Sequence, residues 1–253
     1  MNNNDYLVVL YNKDREPTFT FSPYRICGEN IYFSIDVSIS WYHLLLYKSI
    51  SFKRISCIMK FLEELHELKR NEAIVTFPGC LLSVSMSNTG SLCWKIELQD
   101  TNLEACFYLD SDITFLPEVL SQIRSCKPCA QETEPSENGV DLYFHPASTA
   151  ITPFDSLDVD MKMSSRTVSV NRRASVFQQD WNEFCTGVQL LLKQKWPFTF
   201  SPLGDFMFIR LYDNYGNVYL DCDISDFCYP SNQLKFTRRV NNFEDFVRTT
   251  LTN

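Results

Sequence analysis

The chain has 253 residues, 45% of them hydrophobic and 14% aromatic, which is ample for sizeable cores and unlike a disordered segment. Its 31 acidic residues outnumber 23 basic ones, for a net charge of −8 spread over both halves, and this argues against a nucleic-acid binder that works by neutralising phosphates. Glycine, at 7 residues, is scarce for an enzyme built on phosphate loops, and no apolar run approaches the roughly 18 to 20 residues that span a bilayer.

The N-terminal stretch MNNNDYLVVLYNKDREP has no basic segment followed by a long apolar run and a cleavage site, so a cytoplasmic protein is expected. The ten cysteines are then reduced thiols instead of a disulfide framework. Cys57, Cys93, Cys106, Cys185 and Cys222 lie in apolar-patterned segments, where a thiol acts as a small hydrophobe.

In chain order, Tyr6 to Leu10 opens as a strand. Phe33, Ile35, Val37 and Ile39 then alternate with Ser34, Asp36 and Ser38, the period of a strand with one buried face. A β-rich stretch over 42–50 leads to a helix, with Phe52, Ile55, Ile58, Phe61, Leu62, Leu65 and Leu68 on one side and Lys60, Glu63, Glu64 and Glu67 on the other. A short strand ends at Thr76-Phe77, closed off by Pro78. Leu82, Val84 and Met86 run into Asn88-Thr89-Gly90 and return through Leu92, Trp94, Ile96 and Leu98, a hairpin whose Asn and Gly suit positive φ. A strand near 105–109 and a helix carrying Phe115, Val119 and Ile123 close this half.

The series then repeats. After Val140 to Phe144, expected as the counterpart of Tyr6 to Leu10, come alternating Leu157, Val159, Met161 and Met163, β-rich residues near 166–170, and a helix with Phe177, Trp181, Phe184, Val188 and Leu191. Thr199-Phe200 ends a short strand before Ser201-Pro202. Met207, Ile209 and Leu211 turn through Asn214-Tyr215-Gly216 into Val218, Leu220, Cys222 and Ile224, at a constant offset of 126 from the returning strand of the first half. A strand over 233–238 and a helix with Phe243, Val247 and Leu251 end it. The expected fold class is α+β: two tandem copies, 1–126 and 140–253, of a module with a mainly antiparallel sheet covered on one face by two helices. Residues 127–139, rich in Pro, Glu and Ser, read as a linker.

The chemistry-bearing candidates are few. Cys126-Lys127-Pro128-Cys129 is a CxxC pair, but it follows a helix, lies at the linker and has no second pair at metal-ligand spacing. His43, His66 and His145 are scattered, and no GxSxG, Walker A or GxGxxG sequence occurs. Asp221, Asp223 and Asp226 could be metal carboxylates, but Asp221 and Asp223 occupy the outward positions of a strand, where solvated polar residues are usual. Neither catalytic residues, a metal nor a cofactor is expected. The aromatic residues Tyr32, Trp41, Tyr42, Tyr215, Tyr219 and Tyr229 fall on presumed outer faces or loops, and Tyr and Trp are frequent interface anchors. The expected partner-binding residues are Asp36, Trp41 and Tyr42 in the first half and Asp213, Tyr215, Asp221, Asp223 and Asp226 in the second.

The run from Phe33-Ser-Ile-Asp-Val through the amphipathic helix, Val75-Thr-Phe-Pro, the meander to Trp94-Lys-Ile-Glu-Leu and the closing helix resembles the WapI-like bacterial immunity proteins. The second module keeps the pattern more loosely at Arg172-Arg173-Ala and over 206–208. The resemblance implies a cytoplasmic, non-catalytic antidote that binds a toxin and occludes its active site. The acidic surface fits a basic toxin domain as partner, with no role for nucleic acid or membrane. The other expectation is an interaction or scaffold subunit of another bacterial assembly, such as an anti-phage one.

Overall fold

The structure is a computed structural model. It describes residues 8–11, 17–39, 41–51, 72–77, 79–88, 90–112, 139–148, 154–202, 207–225 and 232–251, with single positions at 57, 60, 63, 64, 66, 67, 114, 117, 118, 121 and 152. The chain divides into two compact units, Met1–Gln99 with Cys106–Pro135, and Asp100–Ala105 with Ser136–Asn253. The described residues form mainly antiparallel sheet with two helices, an α+β architecture.

In the first unit, β1 (Val8–Tyr11), β2 (Pro17–Cys27), β3 (Asn30–Ile39) and β4 (Tyr42–Ser51) each pair antiparallel with the next. The alternation read in β3 is realised: Phe33, Ile35 and Val37 are fully buried while Ser34 and Asp36 are half-exposed. Residues Cys57, Lys60, Glu63, Glu64 and His66 are helical. The apolar positions of that expected helix, and Phe115, Val119 and Ile123 of the next, lie outside the described residues. A second meander consists of β5 (Glu72–Phe77), β6 (Cys80–Met86), β7 (Ser91–Asp100) and β8 (Leu103–Asp112), of which Asp100 and the first three residues of β8 count with the second unit. Leu92, Trp94, Ile96 and Leu98 all point inward, and the buried Trp94 indole N–H donates to Ser111 Oγ at 2.8 Å, the partner that a desolvated donor requires. Gly79 sits at φ 73°, where an added Cβ would lie 2.5 Å from the Gln99 carbonyl, so the tight β5–β6 turn needs glycine.

The second unit runs β9 (Asp141–Pro146), β10 (Ser156–Ser164), β11 (Val168–Phe177), α1 (Gln178–Gln194), β12 (Phe198–Phe200), β13 (Met207–Asn214), β14 (Asn217–Ser225), β15 (Gln233–Arg239) and α2 (Phe243–Leu251). Its strand orders are β11-β10-β9 and β12-β13-β14-β15. Leu157, Val159, Met161 and Met163 of β10 and Val218, Leu220, Cys222 and Ile224 of β14 are buried as their alternation requires, and Cys222 Sγ reaches Met163 Sδ at 3.9 Å. Helix α1 packs on β11, β12 and β13, and α2 packs on α1 and β9. The packing is aromatic: the Phe184 ring lies 5.5 Å from Phe144, 4.9 Å from Phe200 and 5.2 Å from Trp181.

Three expectations need correction. Strand β11 runs from 168 to 177, well past the stretch near 166–170, because its arginines are accommodated: Arg173 faces out onto Asp160 at 2.7 Å, and Arg172 donates to the Ser225 carbonyl at 2.8 Å. Phe177 is the extended residue before α1 and is 39% exposed, so the buried stripe begins at Trp181. Strand β9 pairs with β10 as β2 pairs with β3, which makes β2, not the segment over 6–10, its positional counterpart. The sequence Pro-Thr-Phe-Thr-Phe-Ser-Pro hid β2 because its prolines suggest a loop.

Candidate protein-binding face

In the second unit, the residues that alternate with the buried ones project from β13, β14 and β15 on one side. Phe208, Arg210 and Tyr212 come from β13, Tyr219, Asp221 and Asp223 from β14, and Gln233, Lys235 and Thr237 from β15. The register sets them opposite one another: Phe208 faces Asp223, Arg210 faces Asp221, Tyr212 faces Tyr219, Asp221 faces Thr237 and Asp223 faces Lys235. Cross-strand neighbours on one face are close enough to interact.

Asp221 is the hub. Its carboxylate accepts from Thr237 Oγ1 at 2.9 Å and from the Tyr212 hydroxyl at 3.4 Å, and the Arg210 guanidinium lies 4.0 Å away. Arg210 also covers the Tyr212 ring at 5.1 Å, and Tyr212 stacks on Tyr219 with centroids 5.8 Å apart. Desolvation, helped by the negative charge of Asp221, pushes the Tyr212 hydroxyl above its ordinary value of 10. Asp223 is held by Lys235 at 2.8 Å and by the Gln233 amide at 2.9 Å. Beside these pairs opens a shallow pocket of about 360 Å³, formed by this face and the 100–104 strip of the same unit.

At the tip of the β13–β14 hairpin the turn is two residues long, since Asn214 pairs with Asn217. Tyr215 and Gly216 have φ of 52° and 82°, so the left-handed positions are Tyr and Gly, while the expected Asn ends the strand. The Asp213 carboxylate closes the turn by accepting from the Gly216 N–H at 3.1 Å, and Lys195 approaches it at 3.4 Å. The Tyr215 side chain is 98% exposed.

In the first unit, Asp36 points outward as expected, and His43 Nε2 lies 3.0 Å from its Oδ1. This hydrogen bond holds the imidazole above its usual 6.5. Trp41 occupies the β3–β4 turn, half-buried, with its ring edge-on to Tyr42 at 4.4 Å. Tyr42 does not face solvent: it is 3% exposed, because the tight turn sets it opposite Ile39 and so on the parity of Phe33, Ile35 and Val37. Tyr42 is therefore a core residue, and the alternation of β4 continues inward through Leu44 and Leu46. Asp226 and Tyr229, and likewise Cys126 and Cys129, lie outside the described residues.

Sequence reasoning passed over Phe208, Arg210 and Lys235. An aromatic beside Met207 reads as core, and isolated cations read as a solvated face; only the parity of β13 separates Phe208, 41% exposed, from Met207, 3% exposed. Among the described residues no cluster of three or more His, Cys, Asp or Glu could hold a metal ion, and no helix is long and apolar enough to cross a membrane. Cys57 is exposed, Cys93 and Cys106 are half-buried, and burial pushes the Cys185 thiol up to about 11. No protein-family model, curated protein or solved structure matches this chain.

Proposed function

We propose that this chain is a non-catalytic protein-binding protein of the immunity type, a cytoplasmic antidote that neutralises a bacterial toxin by direct binding through the outer face of its second unit. The reading also takes the chain as two tandem copies of one module. Its support is the shared series of elements and the matched buried positions 92, 94, 96 and 98 against 218, 220, 222 and 224. Tyr215 is the observation that carries the function. A tyrosine in the left-handed region is strained, and a side chain 98% exposed gains little from the fold in return, so its value is sought in contact with another molecule. Farther along β14 on the outer face, Tyr219 supplies an aromatic of the kind that anchors interfaces, and Asp221 supplies a charge for complementarity with a basic partner. Co-expression with a toxin domain encoded beside the chain tests this. Protection of cells should be lost on Tyr215→Ala with the melting temperature unchanged, and should survive Cys129→Ala and His145→Ala. If Tyr215→Ala and an Asp221→Lys, Asp223→Lys pair both protect fully, the face is wrong.

A further inference from the structure

The pocket beside Asp221 has a composition that narrows what it can take. Its lining includes four acidic residues, Asp100, Glu104, Asp221 and Asp223, one lysine, Lys235, and two phenylalanines, the outward Phe208 and the buried Phe236. Lys235 is engaged with Asp223 at 2.8 Å, and Phe208 stays 41% exposed on a strand whose other face is core. The same surface already shows how it treats a guanidinium: Arg210 lies 5.1 Å over the Tyr212 ring and 4.0 Å from the Asp221 carboxylate. The pocket repeats that combination of aromatic wall and carboxylates around a volume of about 360 Å³, with room for one long side chain. A guanidinium is favoured over an ammonium there, because its plane can stack on a ring while its edge meets carboxylates.

We propose that this pocket receives an arginine side chain of a basic protein partner, and the proposal rests on the protein-binding reading above. Net acidity of the pocket and of the whole chain, at −8, supplies the charge complementarity. The test uses the full chain and three labelled peptides of equal length, rich in arginine, in lysine or in citrulline, with binding followed by fluorescence anisotropy. The arginine peptide should bind saturably, the lysine peptide more weakly, and the neutral citrulline peptide not at all. Phe208→Ala should weaken the arginine peptide about tenfold, and an Asp221→Asn, Asp223→Asn pair should abolish the preference for arginine. Lys235→Gln, which removes the resident cation, should tighten binding. If the paired Asn variant melts early, Phe208→Ala and Lys235→Gln still decide, since both side chains lie on the outer face. Equal binding of the citrulline peptide, or arginine binding indifferent to Phe208→Ala and Lys235→Gln, overturns the proposal. A neighbouring toxin bound equally well by wild type and Phe208→Ala overturns the pocket alone and leaves the immunity reading standing. Arginine binding lost on Phe208→Ala in a chain that protects against no toxin does the reverse.

Discussion

Tyr215 sets a conformational cost against an unseen gain. Holding a non-glycine residue at φ 52° costs about 1 kcal/mol, and asparagine is the residue that this first turn position prefers. Tyr215→Asn should therefore raise stability by about 0.5 to 1 kcal/mol in urea titration, whereas a partner that uses the ring should lose about 2 kcal/mol or more of binding. A fall in stability would mean that the ring serves the fold. The Asp36–His43 pair makes a different claim at this scale. Because the hydrogen bond raises the His43 pKa above 6.5, its stabilisation is fully present below the unfolded value and fades as pH rises through the folded one. With side chains 44% and 43% exposed, the pair is worth less than about 1 kcal/mol. The stability lost on Asp36→Asn should accordingly be larger near about pH 5.5 than near about pH 8, and a loss independent of pH would show that the imidazole charge plays no part.

Helix α1 shows how close packing outweighs local propensity. Gly187 faces β12, and an added Cβ would stand 2.6 Å from the Phe198 ring. Alanine at a helix interior gains about 1 kcal/mol over glycine, but forcing a ring aside in a packed interior costs typically about 1 to 3 kcal/mol. Gly187→Ala is expected to lower stability in thermal unfolding; an increase would mean that Phe198 swings out freely. Nothing in the sequence distinguished Gly187 from a tolerated helix glycine, because the reason lies in a residue of another element. By contrast β3, β7, β10 and β14 were legible, since each buries one face only and so writes its orientation as an uninterrupted alternation. The elements missed or shortened, β2 and β11, break that alternation with proline or arginine that only the pairing partners accommodate. Tyr42 was misplaced for a related reason: which face a strand's first residue joins depends on turn length, and composition does not fix it.

At the scale of the whole molecule, sequence position and structural membership part company. The linker and the repeated series suggest a division near residue 126, yet the strip Asp100–Ala105 belongs to the second unit. There the Asn102 carbonyl accepts from the Thr237 N–H at 3.0 Å and from Arg238 Nη1 at 3.1 Å. Leu103 is 1% exposed and Ala105 4%. The candidate pocket is a product of the same arrangement, since Asp100 and Glu104 line it along with Asp221 and Asp223, and no reading of local pattern could have joined residues so far apart. The energetic consequence is specific. Leu103→Ala removes a buried side chain at a cost of about 2 to 5 kcal/mol, and the loss should fall on the second unit although position 103 lies in the first half of the chain. Hydrogen exchange on the intact protein reads this residue by residue. The amide of Thr237, whose acceptor is on the strip, should exchange much faster in Leu103→Ala, together with its neighbours in β14 and β15, while the amides of Ile35 and Val37 in β3 keep their protection. Faster exchange confined to β3 and β4, with Thr237 unchanged, would return the strip to the first unit and remove Asp100 and Glu104 from the candidate face.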